Sequence, residues 1–254
     1  MQKKTTREIV LSATRASWRM LTQHADEGDR RVHAIRDDVL KRDNYRCYFC
    51  RFEAKRYQEL HHLNDNHNNN SLKNVVTTCC FCHQCFHLGM AGVRSSGVLI
   101  WLPEMAQVDL NNVVRALFVA NLNNGKHADA ANELYRALEA RRAIVDLEFG
   151  QGASNPAALG QAFLEMDREV YAGRAARLGG LRLLPRQPAF SLQVAYWRSD
   201  PNVFGAITDT RWDDVMPQAI RDEIEKLSDP DAHLDADVDG RDRDGLHRSG
   251  DMSA

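Results

Sequence analysis

All six cysteines of this 254-residue chain fall between Cys47 and Cys85, and no other feature narrows the choice of fold as much. They form two knuckles, Cys47-Tyr48-Phe49-Cys50 and the run Cys79-Cys80-Phe81-Cys82-His83-Gln84-Cys85. Paired CxxC knuckles separated by about thirty residues are the sequence pattern of a structural zinc held by thiolates. Cys47 and Cys50 make one ligand pair. The second is ambiguous, because Cys79 with Cys82 and Cys82 with Cys85 are overlapping CxxC pairs. Cys79 with Cys82 is preferred: Cys79 closes a strand and Cys82 opens a helix, so that knuckle bridges the corner between them. Cys82 with Cys85 would place both ligands in one helical turn, and Cys85 stays as the alternative ligand.

The length allows one or two domains with a sizeable core. Neither a charged segment followed by an apolar leader nor an apolar run near membrane-spanning length occurs, and the longest run, Val98 to Leu102, has strand length. Clustered cysteines without a secretion signal point to a reducing cytoplasm and to metal-held thiolates. Formal net charge is −2, which argues against a uniformly basic nucleic-acid binder. The mean hides an asymmetry: residues 229–254 hold eight Asp and three Arg, leaving the rest of the chain about +3. Nine Lys or Arg against four Asp or Glu lie between Arg30 and Arg56. This basic footprint suits phosphate contact, and equally an ordinary solvated face.

In chain order, residues 1–28 read as N-terminal strands, with Ile9-Val10-Leu11 in one and Trp18 as a core anchor. Residues 29–97 read as a zinc module. A helix runs from Asp29 to Arg42 and stops at Asp43-Asn44, and two strands, Tyr57 to Leu63 and Val75 to Thr78, flank the Asn-rich run 64–70, which favours turns. A helix begins at Cys82, with Gly89 and Gly92 expected to end it. Strand, loop, strand and helix with metal knuckles at either end make a ββα-metal arrangement. Residues 98–198 read as a helical layer packed on that module. After a strand over Val98 to Leu102, an amphipathic helix covers Asp109 to Ala120. A second helix is capped by Asp129 and carries Arg141-Arg142 in its last turn. Further helices are expected over Pro156 to Phe163, Asp167 to Leu178 and Pro188 to Trp197. Within 199–228, Trp212 to Leu227 forms an additional helix, and 229–254 is an acidic tail with too little apolar surface to fold. The fold class is α+β.

Four histidines accompany the cysteines. His61 and His62 end a strand, so their side chains leave on opposite faces, whereas His83 and His87, at i and i+4, share a helix face. In a nuclease, His61, His83 and His87 would hold a second divalent ion, Mg or Mn, and His62 would act as general base. In a scaffold they are hydrogen-bonded residues without chemistry. Asn74 is placed to hold the intervening loop through side-chain bonds to backbone.

The set Leu40-x-Arg42-Asp43-x-x-x-Cys47-x-x-Cys50, His61-His62 and Asn74-Val75-x-x-x-Cys79-x-x-Cys82-His83 resembles the HNH (ββα-metal) endonuclease superfamily with its accessory zinc. Over a longer span, Ala16-Ser17-Trp18-Arg19, Arg46 to Cys50, Asn74 to Phe86, Leu99-Ile100-Trp101-Leu102-Pro103-Glu104 and Arg182-Leu183-Leu184-Pro185 are similar to the IcmJ/DotN family of type IVB (Dot/Icm) secretion systems. That resemblance implies an HNH-like fold with a cysteine-bound zinc. It implies an adaptor that binds the cytoplasmic region of the coupling ATPase, with other coupling-complex subunits, at the inner-membrane secretion machine. The four histidines keep the alternative of an HNH DNA endonuclease or nickase open, with nucleic acid as partner.

Overall fold

A computed structural model describes residues 7–13, 34–66, 68–123 and 127–204. The start of the 29–42 helix, Trp18, the 212–227 helix and the acidic tail lie outside the described residues. Helical residues 34–42 (α1) stop where Asn44 and Tyr45 adopt left-handed φ values of 52° and 54°. Two such residues in succession end a right-handed helix. Val39 and Leu40 of α1 pack with Leu60 and Val75, and Ile35 and Tyr45 flank them. Arg42 donates to the carbonyls of Leu72 and Val75, while Asp43 Oδ2 accepts the Thr77 N–H at 2.8 Å. One basic and one acidic residue thereby pin the end of α1 across the strands.

Those strands are β1 (Gln58–His62) and β2 (Val75–Cys79), antiparallel with His61 opposite Val76 and His62 opposite Val75. The Asn-rich connection folds on its own side chains: Asn66 N–H bonds Asn64 Oδ1, and Ser71 N–H bonds Asn69 Oδ1. Asn74 closes the loop as anticipated, donating to the Asn69 carbonyl at 2.8 Å and accepting from Asn64 N–H at 3.2 Å.

α2 (Cys80–Gln84) follows directly, then α3 (Leu88–Val93). Gly89 and Gly92 therefore lie inside a helix rather than ending one. Gly92 on α3 and Gly160 on α7 (Pro156–Glu165) allow a close approach of the two helices. A Cβ on Gly92 would stand 2.3 Å from Ala157 N, and one on Gly160 would stand 2.6 Å from Gly89 N. Only glycine lets the two backbones meet this way.

The expected helical layer also contains a second sheet, β3 (Gly97–Trp101) antiparallel to β4 (Leu181–Pro185). α4 (Gln107–Asn123) is buried on nearly all sides from Val108 to Ala120, Asp109 and Asn112 excepted, making it a central helix rather than an amphipathic one. The next helix breaks at Arg141, giving α5 (Ala128–Ala140) and α6 (Arg142–Phe149), with His127 rather than Asp129 at the N-cap position. Pro156 opens α7 as expected, and the Asn155 side chain accepts from Ala157 N–H. The helix expected over 167–178 is two short ones, α8 (Arg168–Ala172) and α9 (Arg174–Arg177). A 3-10 turn at Gln187–Phe190 leads into α10 (Ser191–Ser199), whose Trp197 is buried against Phe81 and Phe52.

Residues 7–13 form no strand of a sheet. They run as a strap with a single bridge, Ala13 to His87. Ser12 exchanges backbone bonds with Cys85 and Leu88, and Arg174 and Tyr171 reach the carbonyls of Leu11 and Ala13.

Candidate metal centre

The first knuckle is a tight turn. Cys47 N–H bonds the Phe52 carbonyl at 2.8 Å, Arg51 N–H bonds the Cys47 carbonyl at 3.0 Å, and Arg51 takes a φ of 66°. The second spans the β2–α2 corner, with Cys79 the last strand residue and Cys82 in the first helical turn. The geometry brings together the sulfurs of Cys47, Cys50, Cys79 and Cys82, all within 4.8 Å of one another and all at most 3% exposed. Cys85 is turned away and bonds the Phe81 carbonyl at 3.3 Å. All six cysteines are free thiols, and Cys50 and Cys79 stand 3.6 Å apart, far outside disulfide length.

The electrostatics of the quartet fit a cation. Burial opposes ionisation of Cys47, yet hydrogen bonds from Cys50, Cys79 and Cys82 hold it well below an ordinary thiol. Burial, reinforced by Cys47 and Cys50, pushes Cys79 and Cys82 well up. Four thiolates this close cannot all carry charge unaided. A soft divalent metal such as zinc, which binds thiolates, removes that conflict. Two polar side chains from α4 also reach the sulfurs: Asn111 Nδ2 lies 3.4 Å from Cys82 Sγ, and Arg115 Nη2 lies 3.2 Å from Cys79 Sγ. Donors aimed at sulfur are the usual surround of metal-bound thiolate.

A second cluster sits beside Phe86. The ligand nitrogens of His61 on β1, His83 on α2 and His87 at the start of α3 lie within 4.8 Å of one another. His87 Nε2 is 3.1 Å from His83 Nε2, His83 Nδ1 meets Glu59 Oε2 at 2.5 Å, and the His61 ring stacks on Phe86 at 4.2 Å. His62 leaves the opposite face of β1, where its Nε2 shares a 2.7 Å hydrogen bond with Asn70 Oδ1. Three imidazoles, one backed by a carboxylate, form a donor set suited to a divalent transition metal.

No family profile matches the chain. A curated relative does: Type 4 apparatus protein DotN of Legionella pneumophila subsp. pneumophila is 36% identical over 192 residues, covering 75% of this chain and 89% of the relative. The chain belongs to the IcmJ/DotN family. Among the described residues of this family member, no helix is long and apolar enough to cross a membrane.

Sequence reasoning missed four supporting residues. Glu59 is two residues before His61 and thus on the same strand face, a period-2 signal that was there to be used. Asn70 was hidden in a run of chemically equivalent asparagines. Asn111 and Arg115 carry the stronger signal, polar side chains among the apolar positions 108–120 of α4, where burial makes each need a partner.

Proposed function

We propose that this IcmJ/DotN-family chain is a zinc-stabilised adaptor subunit of a type IVB secretion coupling complex. It binds the cytoplasmic region of the coupling ATPase, together with other subunits, at the inner-membrane machine. Kinship with DotN over three quarters of the chain carries the secretion role. The buried cysteine quartet supports the zinc. In this reading residues 29–97 are an HNH-like module held by Cys47, Cys50, Cys79 and Cys82, and residues 98–198 supply the layer that packs on it and offers a partner surface. Metal analysis of purified protein is expected to give about one zinc per chain, and chelation or Cys47→Ser is expected to unfold the module, since structural zinc supplies folding free energy. The adaptor role is tested by co-purification with the coupling ATPase's cytoplasmic tail. A folded, zinc-loaded chain that never captures that tail defeats it.

The histidine cluster favours a second reading, a divalent-metal HNH endonuclease. Here His61, His83 and His87 would hold the divalent ion, for which three nitrogen donors fit Mn and not Mg, and which supplies charge stabilisation at the phosphate and leaving oxygen when bound. His62, donating Nε2–H to Asn70, would present the Nδ1 lone pair to accept a proton from water. Glu59 would orient His83. Plasmid cleavage lost in both His62→Ala and His83→Ala supports this reading, and cleavage unaffected by either rejects it.

A further inference from the structure

Arg115 is 1% exposed, and among the described residues no carboxylate pairs with it. A guanidinium removed from water at that depth requires a negative partner, because its charge cannot be titrated away. Its Nη1 donates to Asn112 Oδ1 at 2.7 Å, and its Nη2 lies 3.2 Å from Cys79 Sγ and 4.0 Å from Cys50 Sγ. The plane is fixed by aromatic rings, Phe52 at 3.7 Å and Phe81 and Trp197 at 5.2 Å. Its buried Nε bonds nothing, so one donor is left unsatisfied while another is aimed at sulfur.

We infer that Arg115 is a positioning residue of the cysteine metal centre, the buried cation that balances its excess thiolate charge. The inference rests on the zinc reading. A divalent ion with four thiolates leaves roughly two negative charges to be compensated, in a site that excludes water. Arg115 supplies one positive charge and an N–H to Cys79, and Asn111 adds an N–H to Cys82. Both stabilise the thiolates against protonation and so slow their proton-assisted loss from the metal. Both also come from α4, outside the segment that holds the ligands. Metal retention therefore depends on a helix that the ligand-bearing segment does not contain, with α10 locking the arginine through Trp197.

The test uses the full chain and two variants, Arg115→Gln, which keeps a donor without charge, and Arg115→Lys, which keeps charge. Zinc content of the wild type is measured first; a wild type without zinc refutes the metal reading itself. Given about one zinc per chain, Arg115→Gln is expected to release it to excess EDTA at least about tenfold faster, in line with supporting-residue losses of about 10–100-fold in affinity. In the cobalt-substituted protein its sulfur-to-metal charge-transfer band is expected at lower energy. Arg115→Lys is expected to stay near the wild type in both measurements. Wild-type release and spectrum in Arg115→Gln overturn the inference, as does equal damage in both variants, which marks a packing role. If Arg115→Gln yields no soluble protein, Arg115→Lys decides alone: retained zinc upholds the charge role, and lost zinc overturns it.

Discussion

Substituting the two glycines of α3 one at a time should move stability in opposite directions. Alanine is favoured over glycine in a helix interior by about 1 kcal/mol. A methyl at Gly89 meets nothing within 4 Å, so Gly89→Ala should realise most of that gain, about 0.5–1 kcal/mol, trimmed because the site lies in the first turn. A methyl at Gly92 meets Ala157 N at 2.3 Å, Ala157 Cβ at 2.5 Å and Asn155 Oδ1 at 2.6 Å. Ordinary contact begins near 3.5 Å, so α3 and α7 must part by roughly 1 Å. Overpacking of this kind costs about 1–3 kcal/mol. Because the intruding methyl also strikes the Asn155 cap of α7, about 1 kcal/mol of capping is at risk as well. Set against the helix-propensity gain, Gly92→Ala should be destabilised by about 1–3 kcal/mol. Urea unfolding followed by tryptophan fluorescence, with zinc present, reads the difference: at a slope near 2 kcal/mol/M the two midpoints should separate by about 1 M or more. Equal stabilisation of both variants would mean that the α3–α7 backbones are not in contact, and the packing account would fail.

Burial opposes the charge on Asp43, but hydrogen bonds from Arg42 and the Thr77 N–H hold its pKa below the ordinary value. A depressed folded-state pKa gives stability that is present above the unfolded value, near 4, and lost as pH falls below it. Asp43→Asn should therefore cost about 1–2 kcal/mol at neutral pH and show a flatter urea midpoint than wild type between about pH 5 and 3; parallel curves would contradict this. Burial pushes the thiols of Cys80 and Cys85 up, and neither belongs to the quartet. Iodoacetamide should leave both unmodified in the folded chain and label both in urea, and labelling in the folded chain would refute their inert role.

The ligand geometry was legible because spacing encodes it. The Cys47–Cys50 and Cys79–Cys82 knuckles and the i, i+4 pair His83 and His87 meet as neighbours, and Asn74 ties its loop through local bonds. What failed was tertiary in origin. Gly89 and Gly92 read as helix ends because glycine is poor in helices, but at Gly92 the partner backbone of α7 overrides that preference. Leu181–Pro185 is a short apolar run without periodicity, and only its pairing with β3, about eighty positions earlier, makes it a strand. The burial of Arg115 is not legible in the sequence, which does not say that the helix expected over Asp109 to Ala120 is covered on nearly all sides.

The strap at residues 7–13 has a consequence for how the molecule is made. Its Leu11 carbonyl bonds Arg174, 163 residues away, and its other hydrogen-bond partners lie at 49, 85–88 and 171. At synthesis rates of about 5–20 residues per second, the strap leaves the ribosome roughly 8–30 s before its last partner exists. Ile9 and Leu11, apolar and destined for burial, spend that interval in water. Residues 7–13 are thus made long before they can be fully placed, and a nascent chain halted before Arg174 carries an open seam along the strap.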